Sequence, residues 1–276
     1  MKRRRFNQRQ RAKVILGIAV VFLIGVAIAG RLCYDEAMVT DFSRKNFAPC
    51  LKYPFGTDWL GRNMLYRTLT GLSTSILIGV LAAGVSALVA LALGICAATL
   101  GKKADSIISF LIDTVMGIPH ILLLILISYA LGRGMKGVIA GVALTHWTSL
   151  ARLIRGEVMQ IKESEYIQIV RKLGHSNWEI ARKHMLPQLL PQFIVGLVLM
   201  FPHAILHEST ITFLGFGLSM EQPAIGVILS ESMRYLITGK WWLAVFPGAM
   251  LVLTVVLFDQ GGTALRKILD PGSVHE

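Results

Sequence analysis

Apolar residues in this chain fall into six long runs, at about 14–30, 72–100, 106–131, 137–154, 189–218 and 243–262, with the polar residues collected between them. A hydrocarbon core about 30 Å thick is crossed by a helix of roughly 20 apolar residues. Backbone amides in lipid must find their partners within the segment, so runs of this length predict helices rather than strands. The pattern predicts an all-α integral membrane protein with six transmembrane helices.

One polar stretch, within the gap at 155–188, has internal order. Ser164 suits the cap of a helix through Glu165 to Leu173, and Gly174 suits the left-handed residue that ends it. Ser176 and Glu179 have the spacing of a capping box that opens a second helix through Ile180, Ala181 and His184, which Pro187 is expected to stop. A helix, a glycine turn and a helix between membrane spans present a docking surface. An amphipathic hairpin resting on lipid headgroups is the competing reading.

Composition agrees with the pattern: 54% hydrophobic residues, 16% charged and a mean hydropathy of +0.61 place the chain outside the soluble globular class. The net charge of +12 then reads as topology. With both ends inside, the inner segments hold 18 Lys and Arg and the outer segments 10, which is the asymmetry expected when positive loops resist translocation. The basic residues are scattered over short loops without aromatic interleaving, so no nucleic-acid surface is expected. Lys2 to Arg5, followed by the first apolar run and Ala27-Ile28-Ala29, also fit a signal peptide, and this reading stays beside that of a first transmembrane helix. Three cysteines exclude a zinc ribbon or an iron–sulfur cluster held by this chain alone. Cys96 lies in an apolar run and reads as packing, whereas Cys33 and Cys50 share an outer segment where an oxidising compartment would permit a disulfide.

The pattern Glu165-Tyr166, Arg171, Leu173-Gly174, Ser176, Ile180, Arg182, His184, Leu186-Pro187 and Pro191 resembles the coupling loop of permease subunits in binding-protein-dependent ABC importers. Pro54-Phe55-Gly56-Thr57-Asp58-Trp59-Leu60-Gly61-Arg62-Asn63, Ser209 to Leu218, Phe246-Pro247-Gly248 and Leu269-Asp270-Pro271 resemble the peptide/nickel branch of that group. Two stretches depart from the family pattern. Gln168-Ile169-Val170 stands where the coupling motif has Glu-Ala-Ala, and Asn63 where the outer signature has Asp.

The resemblance implies a type I ABC importer permease, with an N-terminal tail, first helix and outer segment over 1–70 and a five-helix core with the coupling loop over 71–276. It also implies a bacterial inner membrane, cytoplasmic termini, a second permease subunit, two ATPase subunits and an external solute-binding protein. No glycine-rich phosphate loop G-x-x-x-x-G-K-[ST] occurs in the sequence, so no cofactor is expected on this chain, and ATP and Mg2+ belong to the partner ATPases. The implied coupling residues are Glu165, Tyr166, Leu173, Gly174, Ser176, Trp178, Glu179 and Pro187, with Gly174 as the hinge of a lever. Trp178 equally suits an interfacial anchor.

Ionisable residues within the runs are costly in hydrocarbon and face a cavity or a partner. They are Asp113, His120, His146, His203, His207, Glu208 and Asp259. His120 follows Pro119, and its ring could satisfy a carbonyl freed by the proline. His203 and His207 are four apart, so they share a helix face with Met200 and neighbour Glu208. This makes Met200, His203, His207 and Glu208 candidates for the translocation path and His203 and His207 candidate metal ligands. Interhelical hydrogen bonds are the rival role for the two histidines. His207-Glu208 does not extend to a metalloprotease H-E-x-x-H, because Ile211 occupies the last position. A transporter needing no ATPase would show inverted repeats, and none is found. The expected cargo is a small peptide, nickel or a nickel chelate.

Overall fold

Five of the six apolar runs form helices long enough to cross a bilayer, in a computed structural model that describes residues 8–269. Lys2 to Arg5, Asp270 and Pro271 lie outside the described residues. In chain order the helices are α1 (Gln8–Leu32), α2 (Tyr34–Met38), α3 (Met64–Thr99), α4 (Lys102–Gly117), α5 (His120–Ala130), α6 (Gly134–Glu163), α7 (Glu165–Lys172), α8 (Asn177–Ile180), α9 (Leu186–Phe213), α10 (Ile225–Leu236) and α11 (Trp242–Leu269). Among the described residues the only β-pairing is an isolated bridge between Thr57 and Asn63.

The third run departs from the expected single helix. It breaks after Gly117 into α4 and α5, which meet at 98°. Pro119 has no N–H to give and disfavours helical backbone at the residue before it, and Ile118 is accordingly extended at φ −89°, ψ 136°. The segment between the last two spans also differs from a solvated outer loop. It contains α10, whose Ile225, Gly226, Val227, Ile228 and Ser232 are buried.

Small residues set how closely the helices approach. α3 buries Ala82, Ala83, Ala87, Ala90, Gly94, Ala97 and Ala98, and Gly94 meets Ile154 and Ala151 of α6 where a Cβ would not fit. The first run is a packed member of the bundle. Its Gly30 and Ala27 carbonyls accept hydrogen bonds from Thr70 Oγ1 at 3.0 Å and Ser73 Oγ at 2.9 Å, and Ala19 lies against Gly261 of α11. Cys33, Cys50 and Cys96 are free thiols, so the permitted Cys33–Cys50 bridge does not form.

The outer signature folds onto the membrane bundle through buried charge. Asp58 is fully buried. Its Oδ1 accepts from the Leu60 and Arg62 amides at 2.9 Å each, and its Oδ2 from Arg62 Nε and Arg67 Nη1 at 2.7 Å each. Arg67, 2% exposed, gives its other terminal nitrogen to Glu231 of α10 at 2.9 Å. Trp59 stacks on Tyr235 of α10, with centroids 4.7 Å apart and planes 8° from parallel, while both arginines lie against the Trp59 ring. Asn63 caps α3, its side-chain oxygen accepting from the Leu65 amide at 3.0 Å. Asn and Asp cap helices about equally well, so the departure at 63 preserves the capping function.

Removing one partner of a buried ion pair strands the other charge, at about 3–5 kcal/mol. Arg67→Met is therefore expected to lower the thermal unfolding midpoint of the purified chain clearly. An unchanged midpoint would show that the Asp58–Arg67–Glu231 chain holds nothing together.

Candidate functional site

At one end of the bundle the predicted hairpin forms with both serine caps in place. Ser164 Oγ accepts from the Ile167 amide at 3.5 Å and Ser176 Oγ from the Glu179 amide at 3.2 Å. Gly174 lies between them at φ +87°, a left-handed conformation that costs a residue with a Cβ about 1–2 kcal/mol. Glu179 turns its carboxylate to Lys183 Nζ at 2.8 Å and His175 Nδ1 at 3.0 Å.

Pro187 does not stop the second helix. A single π-helical turn, Ala181–Met185, carries the chain from α8 into α9, and Pro187 sits in the first turn of α9. A first-turn N–H has no partner within its own helix, so proline is tolerated there, and the π turn absorbs the change of register.

The hairpin has two faces. Ile167, Val170, Ile180 and Met185 are buried and join a core with Ile154, Val158 and Leu189. Tyr166, Ile169, Leu173 and Trp178 are exposed, Leu173 at 73% and Trp178 at 75%. Glu165 is exposed in the first turn of α7, where an acidic side chain complements the helix dipole. Tyr166 and His184 join the two arms through a 2.7 Å contact between Oη and Nδ1, and Gln168 folds back to donate to the Glu163 carbonyl at 3.0 Å. The anchored face holds the hairpin against the bundle and leaves Ile169, Leu173 and Trp178 exposed.

Within the bundle, the four residues grouped on α9 separate. Met200 packs into the core. His203 is exposed, and His207 is half-buried beside His120 of α5 and His146 of α6. Glu208 is fully buried and turned elsewhere: Thr212 Oγ1 donates to it at 3.0 Å and Ser209 Oγ at 3.3 Å. Adjacent helical residues point about 100° apart, so sequence neighbours need not share a site.

His207, His120 and His146 offer ligand atoms that all lie within 4.8 Å of one another. Their ring centroids are 4.4 Å apart for His120 and His207, 4.7 Å for His120 and His146 and 5.0 Å for His146 and His207. His120 Nδ1 is buried without a hydrogen-bond partner, so that nitrogen satisfies no freed carbonyl. His203 stands outside this set. Asp113 is exposed and paired with Arg152 at 2.5 Å, and Asp259 is exposed. The sequence signal for the set was three isolated histidines in apolar runs, one of them directly after a proline; nothing local joined them.

Losing a serine cap costs about 0.5–2 kcal/mol. Ser176→Ala is expected to speed amide exchange over 177–180 while leaving the amides of α3 and α6 unchanged, as read by hydrogen exchange. Equal protection in the variant would show that the cap does not hold α8.

Residues 90–274 match the family described as "Binding-protein-dependent transport system inner membrane component". The dipeptide transport system permease protein of Bacillus subtilis (strain 168) is 33% identical over 253 residues, covering 91% of this chain and 79% of that protein. The glutathione transport system permease protein of Pectobacterium atrosepticum is 32% identical, covering 95% of this chain and 88% of its own length. Among solved structures, the inward-facing MetNI methionine ABC transporter matches with a TM-score of 0.63 at 17% identity, over 75% of this chain and 98% of that one, a likeness in fold. A family match over residues 90–274, on a multi-pass helical bundle and with relatives that cover nearly all of the chain, makes this protein a member of the binding-protein-dependent transport system inner membrane component family, an ABC importer permease subunit and not itself an enzyme.

Proposed function

We propose that this chain forms one half of a translocation pathway with a second permease and couples to two partner ATPases through the 165–187 hairpin, which faces the cytoplasm together with both chain ends. ATP and Mg2+ act on the ATPases, and an external solute-binding protein delivers the cargo. The observation that carries the reading is the hairpin: Leu173 and Trp178 stand exposed on either side of Gly174 while Ile167, Val170, Ile180 and Met185 tie it to α6 and α9. A force on that exposed face reaches the membrane helices through packed side chains, which a hairpin lying loosely on lipid could not transmit. With Gln168 folded back onto the end of α6, docking rests on shape and apolar contact rather than on an acidic residue at that position.

The cargo proposed is small. The dipeptide and glutathione permeases among the relatives support a short peptide. The histidine set among α5, α6 and α9 favours nickel, free or chelated, as the second reading.

Uptake of labelled dipeptide and labelled nickel, measured side by side in cells lacking only this chain and in cells with it restored, tests both cargoes. Restored uptake of either is expected, and Gly174→Val is expected to abolish it while the protein still accumulates in the membrane. Dependence of neither on the chain would sink the peptide/nickel cargo, and full uptake by the Gly174→Val chain would remove the hinge from the coupling reading.

A further inference from the structure

Three helices distant in sequence deliver one imidazole each to a single point. The proline break places His120 at the first residue of α5, facing His146 on α6 and His207 on α9. We propose that His120, His146 and His207 together bind a divalent first-row transition-metal ion, of the class of nickel(II), cobalt(II) and zinc(II), in transit through the permease. The inference rests on the permease reading and deepens its metal arm: it replaces the pair His203 and His207 with a triad that only the fold assembles.

His146 Nδ1 lies 3.0 Å from the Val142 carbonyl oxygen and 3.1 Å from Thr145 Oγ1. In the tautomer that donates from Nδ1 to the carbonyl, which can only accept, Nε2 keeps a lone pair. That Nε2 is buried and has no hydrogen-bond partner, and His120 Nδ1 is in the same state. Buried polar atoms left unpaired are costly, and two of them beside a third imidazole point to a ligand that accepts lone pairs. The Val142 carbonyl acts as the outer-shell group that orients a ligating histidine.

The geometry is within reach of coordination. Imidazole nitrogen binds such metals at about 2.0–2.1 Å, which sets three ligating nitrogens roughly 3.0–3.4 Å apart. The nitrogens of the triad lie within 4.8 Å of one another, so binding draws them closer together. Edge-to-face packing of the rings, at 81° for His120 with His146 and 72° for His146 with His207, accounts for their contact but leaves both buried nitrogens unpaired.

The donor set also selects. Imidazole suits nickel, zinc, copper and iron, whereas calcium and magnesium demand oxygen ligands. Glu208 is turned to Thr212 and Ser209, so no carboxylate completes the set and at least one coordination position stays open to water or a chelator. Three neutral ligands with an open position hold an ion loosely enough to release it, as transport requires.

The test uses the full chain without a polyhistidine tag, reconstituted in nanodiscs and titrated with nickel(II) alone. Saturable binding is expected, and His120→Gln, His146→Gln and His207→Gln should each weaken it by at least about tenfold, the lower bound for losing even an outer-shell partner. X-ray absorption on the nickel-loaded wild-type chain, which needs no variant to fold, should count three imidazoles. No saturable binding, one imidazole or none, or binding that survives loss of His120 and His146 while depending on His203, overturns the triad. Cell uptake separates the two readings. Three-imidazole binding with nickel uptake indifferent to the chain supports the site and removes the cargo, whereas chain-dependent nickel uptake without imidazole-bound nickel overturns the site and keeps the cargo.

Discussion

Backbone amides in a bilayer have no water to turn to, and this constraint bears on each departure from plain helix among the described residues. The break at Ile118 and Pro119 divides the third run at an exposed point, at a residue whose nitrogen needed no partner. The π-helical turn at Ala181–Met185 and the left-handed Gly174 are confined to the hairpin at the bundle's end. The non-helical outer signature is satisfied by its own charges: Asp58 alone accepts from two backbone amides and two arginines. Both candidate functions lie at such departures, the hairpin at Gly174 and the histidine set beside Pro119.

Two devices hold the bundle together. Along α3, a seam of alanines and glycines lets α6 approach closely. At the opposite end from the hairpin, Arg67 links Asp58 in the outer signature to Glu231 in α10, and the Trp59–Tyr235 stack closes over the ion pairs. Charge and aromatic contact there do what small-residue packing does in the membrane. They tie a segment without regular structure to two helices.

Local chemistry was readable in advance where the interacting atoms are near in sequence. Ser164 and Ser176 cap the helices that they precede, because a capping oxygen reaches only two or three residues ahead. Gly174 takes the left-handed turn that its missing Cβ permits. Pro187 misled, because a proline ends a helix interior but is at home in a first turn, and the π turn before it decides which one applies. The third run misled because apolar length predicts a span while a single proline decides its continuity.

The sequence by itself determined the class, the number of apolar runs, the two-armed hairpin and the absence of an ATP-binding loop, since each follows from composition or from contacts within a few residues. Tertiary structure alone decided that His207 meets His120 and His146 rather than His203, and that Glu208 points away from all of them. It also decided that Arg67 bridges the outer signature to α10. The physical reason is the same for each. A side chain's direction is set by its own helix, but what it meets is set by the crossing of helices whose closeness depends on small residues elsewhere in the chain.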